Sequence, residues 1–339
     1  MKILYIGQYG YGTTSRMRGE VLKDILNPKD FIVTDTRVPY FMLHPFLRSI
    51  GFRFKKGPLI SKINNFIVDE VSRIDGRLDL VWVDKGIFIK PEIIKLLKGK
   101  SDKIIHFTPD MAFFDNRSKK FYRSLHLYDY VITTKEPEVN FYKEYISDEK
   151  IVLSTQGYSR SIHHPYNSFE EKKYDIGFVG LYEKHRAEIL QVLIDNGYSI
   201  AFAGNGWTEF MSRNANNPRV HYKGKGLFGE NYAKLISECK FGLGLLSKKF
   251  PELHTTRTFE IPACGTALIT ESTEQTEKYF ESDEVLFYSE AKDLLEQLSY
   301  YLSAPPRLIE LTKKGAERVV KDQRDYESVM KEILKKIGY

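Results

Sequence analysis

The chain has 339 residues, 42% apolar and 14% aromatic, with a formal net charge of +6. That is more chain than one hydrophobic core usually organises, with apolar side chains enough for two, so two domains are expected and a largely disordered chain is excluded. The positive charge is modest and dispersed, which argues against a nucleic-acid partner, and two cysteines make no disulfide framework, which suits a reducing, cytoplasmic setting.

The opening MKILYIG carries one Lys and a short apolar run, so it reads as a strand at 2–7 rather than a secretory leader. No window approaches the roughly 20 apolar residues of a membrane span. The loop GQYGYGTTS (7–15) follows and leads into the helical pattern TSRMRGEVLKDIL. Its glycines are not in the GxGxxG order of dinucleotide sites, so no NAD is expected. Gly10 and Gly12 would let backbone approach a ligand closely. Thr14 or Ser15 can cap the helix, and Arg16 stands near its start. With Thr13 these residues form a candidate phosphate or acceptor loop, the alternative being a tight strand-to-helix turn.

Further strand candidates are FIVTDT (31–36), LDLVWVD (78–84), KIIHFT (103–108), DYVITT (129–134) and KIVLST (150–155), with helical patterns such as PEIIKLLKG between them. Continuous apolar runs suit strands covered on both faces, and the alternation implies βαβ units in a parallel, doubly wound sheet. One stretch departs from it. Residues 37–62 carry six Lys/Arg, many aromatics and no acid. They suit either an anionic lipid surface holding a lipid-linked acceptor or an acceptor loop with a packed aromatic side.

The segment TQGYSRSIHHPYNSFEEKK (155–173) is polar and aperiodic, as linkers are. His163 and His164 within it lack the spacing of a zinc pair, and no metal is expected. The pattern then restarts with YDIGFVG (174–180), a helix to Asn196 with Gly197 as its C-cap candidate, SIAFAG (199–204), VHYKG (220–224), a helix ENYAKLISEC, FGLGLL (241–246), a helix from about Thr255, TALIT (266–270), EVLFY (284–288) and a helical tail. The expected domains are 1–156 and 157–319, with the helix at about 320–339 able to pack back on the first.

Ligands of such sheets bind outside the carboxyl ends of the strands. In HTTRTFEIPACGTALITE (254–271), Thr255 or Thr256 can cap the helix. Arg257 in its first turn opposes the helix dipole and Pro262 removes a backbone donor, two local costs that point to a constraint other than stability. An anion at the helix start would neutralise Arg257, and Glu260 on the same face could accept hydrogen bonds from a ribose diol. The alternative is an ordinary surface Arg–Glu pair. Lys184 and Arg186, opening the helix after Gly180, could hold phosphate oxygens, or form a solvated basic helix start. GNGW (204–207), with Gly204 and Gly206, could wall a base pocket or be a turn over a buried Trp. Lys223 and Lys225 read as solvated loop lysines.

The run from Arg257 to Gly265 with the following ALITE, together with YDIGFVG and its downstream Arg186, AFAGNGW (201–207) and YLSAPPRLIELTKKGAERV, resembles the C-terminal domain of GT-B glycosyltransferases, most nearly the CgeB-like spore-maturation group related to glycosyltransferase group 1. The resemblance covers about half the chain. It implies two Rossmann-like, doubly wound α/β domains facing across a cleft. It also implies a nucleotide-sugar donor, UDP first among bases, as co-substrate rather than cofactor, bound without metal. In this family the counterpart of Glu260 binds the donor ribose, and basic residues such as Arg257 face the diphosphate. The implied reaction is sugar transfer to a hydroxyl of a glycan or lipid-linked acceptor in surface polysaccharide or glycoconjugate synthesis, in the cytoplasm or at the inner face of the membrane. A base at the carboxyl end of an N-terminal strand would then take the acceptor proton. Asp110, just past the strand at 103–108, is the first candidate and Asp84 the rival, while His106 reads as a core histidine. The other readings are a nucleotide-sugar-binding scaffold without catalysis and a GT-B nucleotide-sugar epimerase.

Overall fold

The computed structural model describes residues 1–114 and 116–339. The chain divides into two compact units, Met1–Thr155 with Val329–Tyr339, and Gln156–Ser328. Each is built on a six-stranded, wholly parallel sheet.

The first unit contains β1 (Lys2–Gly7), β2 (Asp30–Asp35), β3 (Leu78–Asp84), β4 (Ser101–Thr108), β5 (Tyr130–Thr133) and β6 (Ile151–Leu153), in the spatial order β2-β1-β3-β4-β5-β6. Alternate side chains of one strand enter different cores. Leu4 and Ile6 join one cluster with Val81, Val83 and Ile104, while Ile3 and Tyr5 join another with Leu80, Trp82 and Ile105. Helices therefore cover both faces, which is why these strands read as unbroken apolar runs. The second core is completed by Val329, Met330, Ile333, Leu334 and Ile337 from the C-terminal helix and its end.

The basic, aromatic stretch after β2 folds as helices Arg37–Phe41, Pro45–Phe54 and Pro58–Ser72. Proline stands at the start of the second and third of these helices, where its missing donor costs nothing.

The second unit contains β7 (Tyr174–Val179), β8 (Ile200–Ala203), β9 (Val220–Tyr222), β10 (Cys239–Leu243), β11 (Ala267–Glu271) and β12 (Leu286–Tyr288), in the order β12-β11-β10-β7-β8-β9. The polar segment before β7 is built into this unit rather than left as a free linker. Tyr158 is buried, its carbonyl accepts the Tyr326 N–H at 2.8 Å, and the Ser237 hydroxyl accepts the N–H groups of Tyr166 and Asn167. Its polar composition hid buried aromatics that anchor it.

Candidate functional site

In the second sheet the chain runs from β7 outward through β8 and β9, then returns to β10 on the other side of β7. The loops after β7 and β10 therefore diverge, and such a switch point is where parallel sheets bind ligands. Helix Lys184–Asp195 follows the first loop and helix Arg257–Ala263 the second.

Arg186 and Arg257 converge there. Both donate to the Leu245 carbonyl, Arg257 Nη2 at 2.9 Å and Arg186 Nη2 at 3.4 Å. Arg186 Nη1 also reaches the Leu181 carbonyl at 3.1 Å and pairs with Glu183 Oε1 at 3.1 Å. Both guanidiniums lie near the ring of Phe178, at 5.9 and 5.8 Å. The Nε of each is buried without an acceptor. Burial and the Arg257 charge pull the Arg186 pKa down to about 10, against the attraction of Glu183, Glu252 and Glu271. Arg186 is buried and Arg257 half-buried, so two like charges with unmet donors stand together, an arrangement that an anion would neutralise.

Glu260 is 5% exposed, and burial pushes its pKa up to about 7 against the Thr256 hydroxyl and the Arg257 charge. His163 Nδ1 accepts the Ser159 N–H at 2.9 Å, so the imidazole proton is on Nε2, which faces Glu260 Oε1 at 3.8 Å. Burial holds His163 neutral, with a pKa of about 3. Glu260 thus has a neutral imidazole beside it and feels the Arg257 charge, and its ionised carboxylate could accept hydrogen bonds from two hydroxyls. Thr256 occupies the N-cap position, yet its side chain bonds Glu260 rather than the helix backbone. The Thr255 hydroxyl does not cap either.

The other donor-side candidates take different places. The Lys184 side chain is 86% exposed and pairs with Glu188 across one turn, away from the arginines. The Gly180 carbonyl accepts Trp207 Nε1 at 3.0 Å, and a Cβ on Gly204, whose φ is +150°, would lie 1.8 Å from that carbonyl. Gly206 turns the chain past Tyr182. These glycines and Trp207 lock two strand ends together. Glu183 and Glu252 had no signal in the sequence. Glu183 is buried against Arg186 and accepts the Ser247 hydroxyl at 3.1 Å, and Glu252 accepts the Ser247 N–H at 3.1 Å.

The first sheet has its own switch point, between β1 and β3. Thr13, rather than Thr14 or Ser15, caps the helix Thr14–Leu26, its hydroxyl accepting the Arg16 N–H. Ser15 is buried, its carbonyl 2.7 Å from the Tyr5 hydroxyl. Arg16 pairs with Glu20 at 3.3 Å on a half-exposed surface. A Cβ on Gly10 would lie 1.0 Å from Arg37 Nη1, so this glycine makes room for the guanidinium that opens helix Arg37–Phe41. Gly12 has φ +73°.

Asp84 is buried, both its oxygens held by Arg18 at 2.9 to 3.1 Å, with the Tyr5 hydroxyl 3.0 Å from Oδ2. Its oxygens are thus already occupied by donors of its own unit. Asp110 is part-exposed and ion-paired with Lys85. Burial raises its pKa, but the charges of Lys85, Lys135 and Arg18 outweigh that and hold it below the usual carboxylate value. His106 is a core histidine between Phe121 and Tyr128. Glu138, pushed up to about 7 by burial, accepts the N–H groups of Ala112 and Phe113 and so supports the loop after Asp110. Among the described residues, no group of three or more His, Cys, Asp or Glu is placed to hold a metal ion.

A family model described as "Glycosyl transferase-like" matches residues 185–335. No curated protein matches the chain in sequence. Among solved structures, the chain is similar to sucrose-phosphate synthase from Thermosynechococcus elongatus, with 14% identity, a TM-score of 0.69 and 99% of each chain covered. It is also similar to Anabaena HepE solved in complex with UDP and glucose, with 13% identity, a TM-score of 0.66 and 99% of each chain covered. At these identities the likeness is one of fold: the two parallel sheets with flanking helices are those of GT-B glycosyltransferase structures.

Proposed function

We propose that the chain is a CgeB-like GT-B glycosyltransferase moving a sugar from a nucleoside diphosphate donor to a hydroxyl of a glycan or lipid-linked acceptor. The carrying observation is the convergence of buried Arg186 and half-buried Arg257, each with a buried, unmet Nε donor, near the buried carboxylate of Glu260. The arginines would take the diphosphate and stabilise it as it leaves, and Glu260 would accept the ribose diol. In this reading two guanidiniums supply the positive charge, so transfer requires no metal. UDP is the first choice because HepE, with the same fold, was solved with UDP and with UDP-glucose. The second unit takes the donor and the first the acceptor. Asp110 receives the acceptor proton, and its depressed pKa leaves stabilisation of the leaving group as the larger catalytic contribution. Buried free thiols at Cys239 and Cys264 suit a reducing, cytoplasmic compartment, and surface polysaccharide or glycoconjugate synthesis suits the acceptor class.

One observation favours a second reading, a nucleotide-sugar binder without transfer: both candidate bases, Asp84 and Asp110, are engaged by cations. A thermal-shift screen against UDP, GDP, CMP and their sugars tests binding. Ligand at about 100-fold over Kd should stabilise by about 2.7 kcal/mol. A shift with one nucleotide, lost in Glu260→Ala, supports the site, and no shift with any overturns it. Release of free diphosphate from the bound donor separates transferase from binder.

A further inference from the structure

From residue 36 to residue 68 the chain has no acidic side chain and six Lys/Arg. The structure shows what that composition builds. Helix Pro45–Phe54 packs inward through Gly51, where an added Cβ would lie 2.4 Å from Leu59 Cβ. A stripe along one flank is open. Phe46 is 65% exposed, Ile50 follows one turn on, and Phe54 is 60% exposed at the end. Phe41 and Met42, just before it, are 58% and 62% exposed. An apolar cluster of this size on a surface marks a binding face.

The charges around it select the partner. Arg48 lies over the rings of Tyr40 and Phe41 at 5.4 and 5.0 Å, and Arg53 over Phe54 at 5.6 Å. Arginines lying over aromatic rings combine an apolar body with a charged tip, the combination found at membrane interfaces. Arg53, Lys56 and Lys62 are exposed beside the rings. Lys120, on a neighbouring helix, feels the charges of Lys56, Lys90 and Arg123, with Glu92 as the opposing acid. Lys120 donates to the Lys55 carbonyl at 2.7 Å, so this positive charge is tied to the end of helix Pro45–Phe54. A protein partner is not required to be acidic over so wide an area, whereas an anionic lipid leaflet is. Among the described residues no helix is long and apolar enough to cross a membrane, so the contact would be peripheral.

We infer that this face docks on an anionic lipid bilayer, with Phe41, Met42, Phe46 and Phe54 entering the headgroup region and Arg53, Lys56 and Lys62 meeting lipid phosphates. Such docking does not depend on glycosyl transfer and can be measured without it.

The experiment is flotation of the full chain with phosphatidylcholine vesicles containing about one-third phosphatidylglycerol, and with pure phosphatidylcholine vesicles. Two variants accompany it, Met42→Ser/Phe46→Ser/Phe54→Ser and Arg53→Glu/Lys56→Glu. All these side chains are exposed, so melting temperatures should stay within a few degrees of the parent. The expected result is recovery with the anionic vesicles only, weakened by salt. Each variant should lower the partition coefficient by about tenfold or more. Equal recovery in the unbound fraction with both vesicle types overturns the inference. So does anionic binding that neither variant reduces, which would come from another surface. A concentration-dependent dimer in solution that the serine variant alone dissociates, without vesicle binding, also overturns it and assigns the face to a second copy.

Discussion

Arg257 stands in the first turn of a short helix, where the backbone dipole disfavours a cation, and its Nε finds no acceptor. Replacing it by Gln should weaken donor binding by about tenfold to a hundredfold, because a hydrogen bond to a charged group contributes about 1.5–3 kcal/mol. Isothermal titration with UDP measures this directly, and an unchanged Kd would remove Arg257 from the site. Glu260 carries a pH signature. Its pKa is raised to about 7 in the folded chain, so the folded state holds the proton more tightly than the unfolded one. Stability from this group is full below about pH 4.5 and is lost as pH rises through about 7. Glu138 has the same sign, so the informative quantity is the difference between parent and Glu260→Gln. Denaturant titrations at several pH values should show a shallower decline in the variant. Affinity for a nucleotide-sugar should run the other way, rising as Glu260 ionises between about pH 6 and 8, and should be flat in Glu260→Gln. Arg18 answers a different question. Arg18→Ala leaves the Asp84 charge buried without its partner and should cost about 3–5 kcal/mol, read as a lower melting temperature.

At the scale of elements, the candidate sites depend on how strands end. The run 241–246 reads as one strand, but the strand stops at Leu243 and the Leu245 carbonyl turns to two guanidiniums. On the neighbouring side, Gly180, Gly204 and Trp207 tie the ends of β7 and β8. Gly204→Ala would force a Cβ against the Gly180 carbonyl at a φ that L residues avoid. The expected loss is about 2 kcal/mol or more, with a displaced Trp207. Chemical denaturation followed by tryptophan fluorescence would show it, and a variant as stable as the parent would mean that the loop relaxes freely.

For the whole molecule, the C-terminal residues matter more than their position suggests. Val329, Met330, Ile333, Leu334 and Ile337 belong to a core of the first unit. Each buried apolar side chain contributes about 1.5–3 kcal/mol, so five together rival the stability of an entire domain. A chain ending at residue 328 should lose the cooperative melting of the first unit while the second still melts. Scanning calorimetry distinguishes this from a tail that can be removed without effect.

The sequence alone was enough to recognise two parallel α/β units, because the central strands are buried on both faces and so write local apolar runs flanked by turn residues. It was also enough to single out Arg257 and Glu260, because a cation in a first helical turn breaks a local rule. The sequence pattern points to Thr14 or Ser15 as the helix cap, and the cap is Thr13, one residue earlier, since capping depends on where the backbone leaves the extended region. The helices between residues 37 and 72 were not legible, because their apolar side chains are divided between an interior face and an exposed one. Only the tertiary structure brought Arg186 beside Arg257 and committed Asp84 to Arg18. Secondary structure follows from periodicity over a few residues, whereas a charge's partners and burial are set by residues that the fold brings from distant parts of the chain.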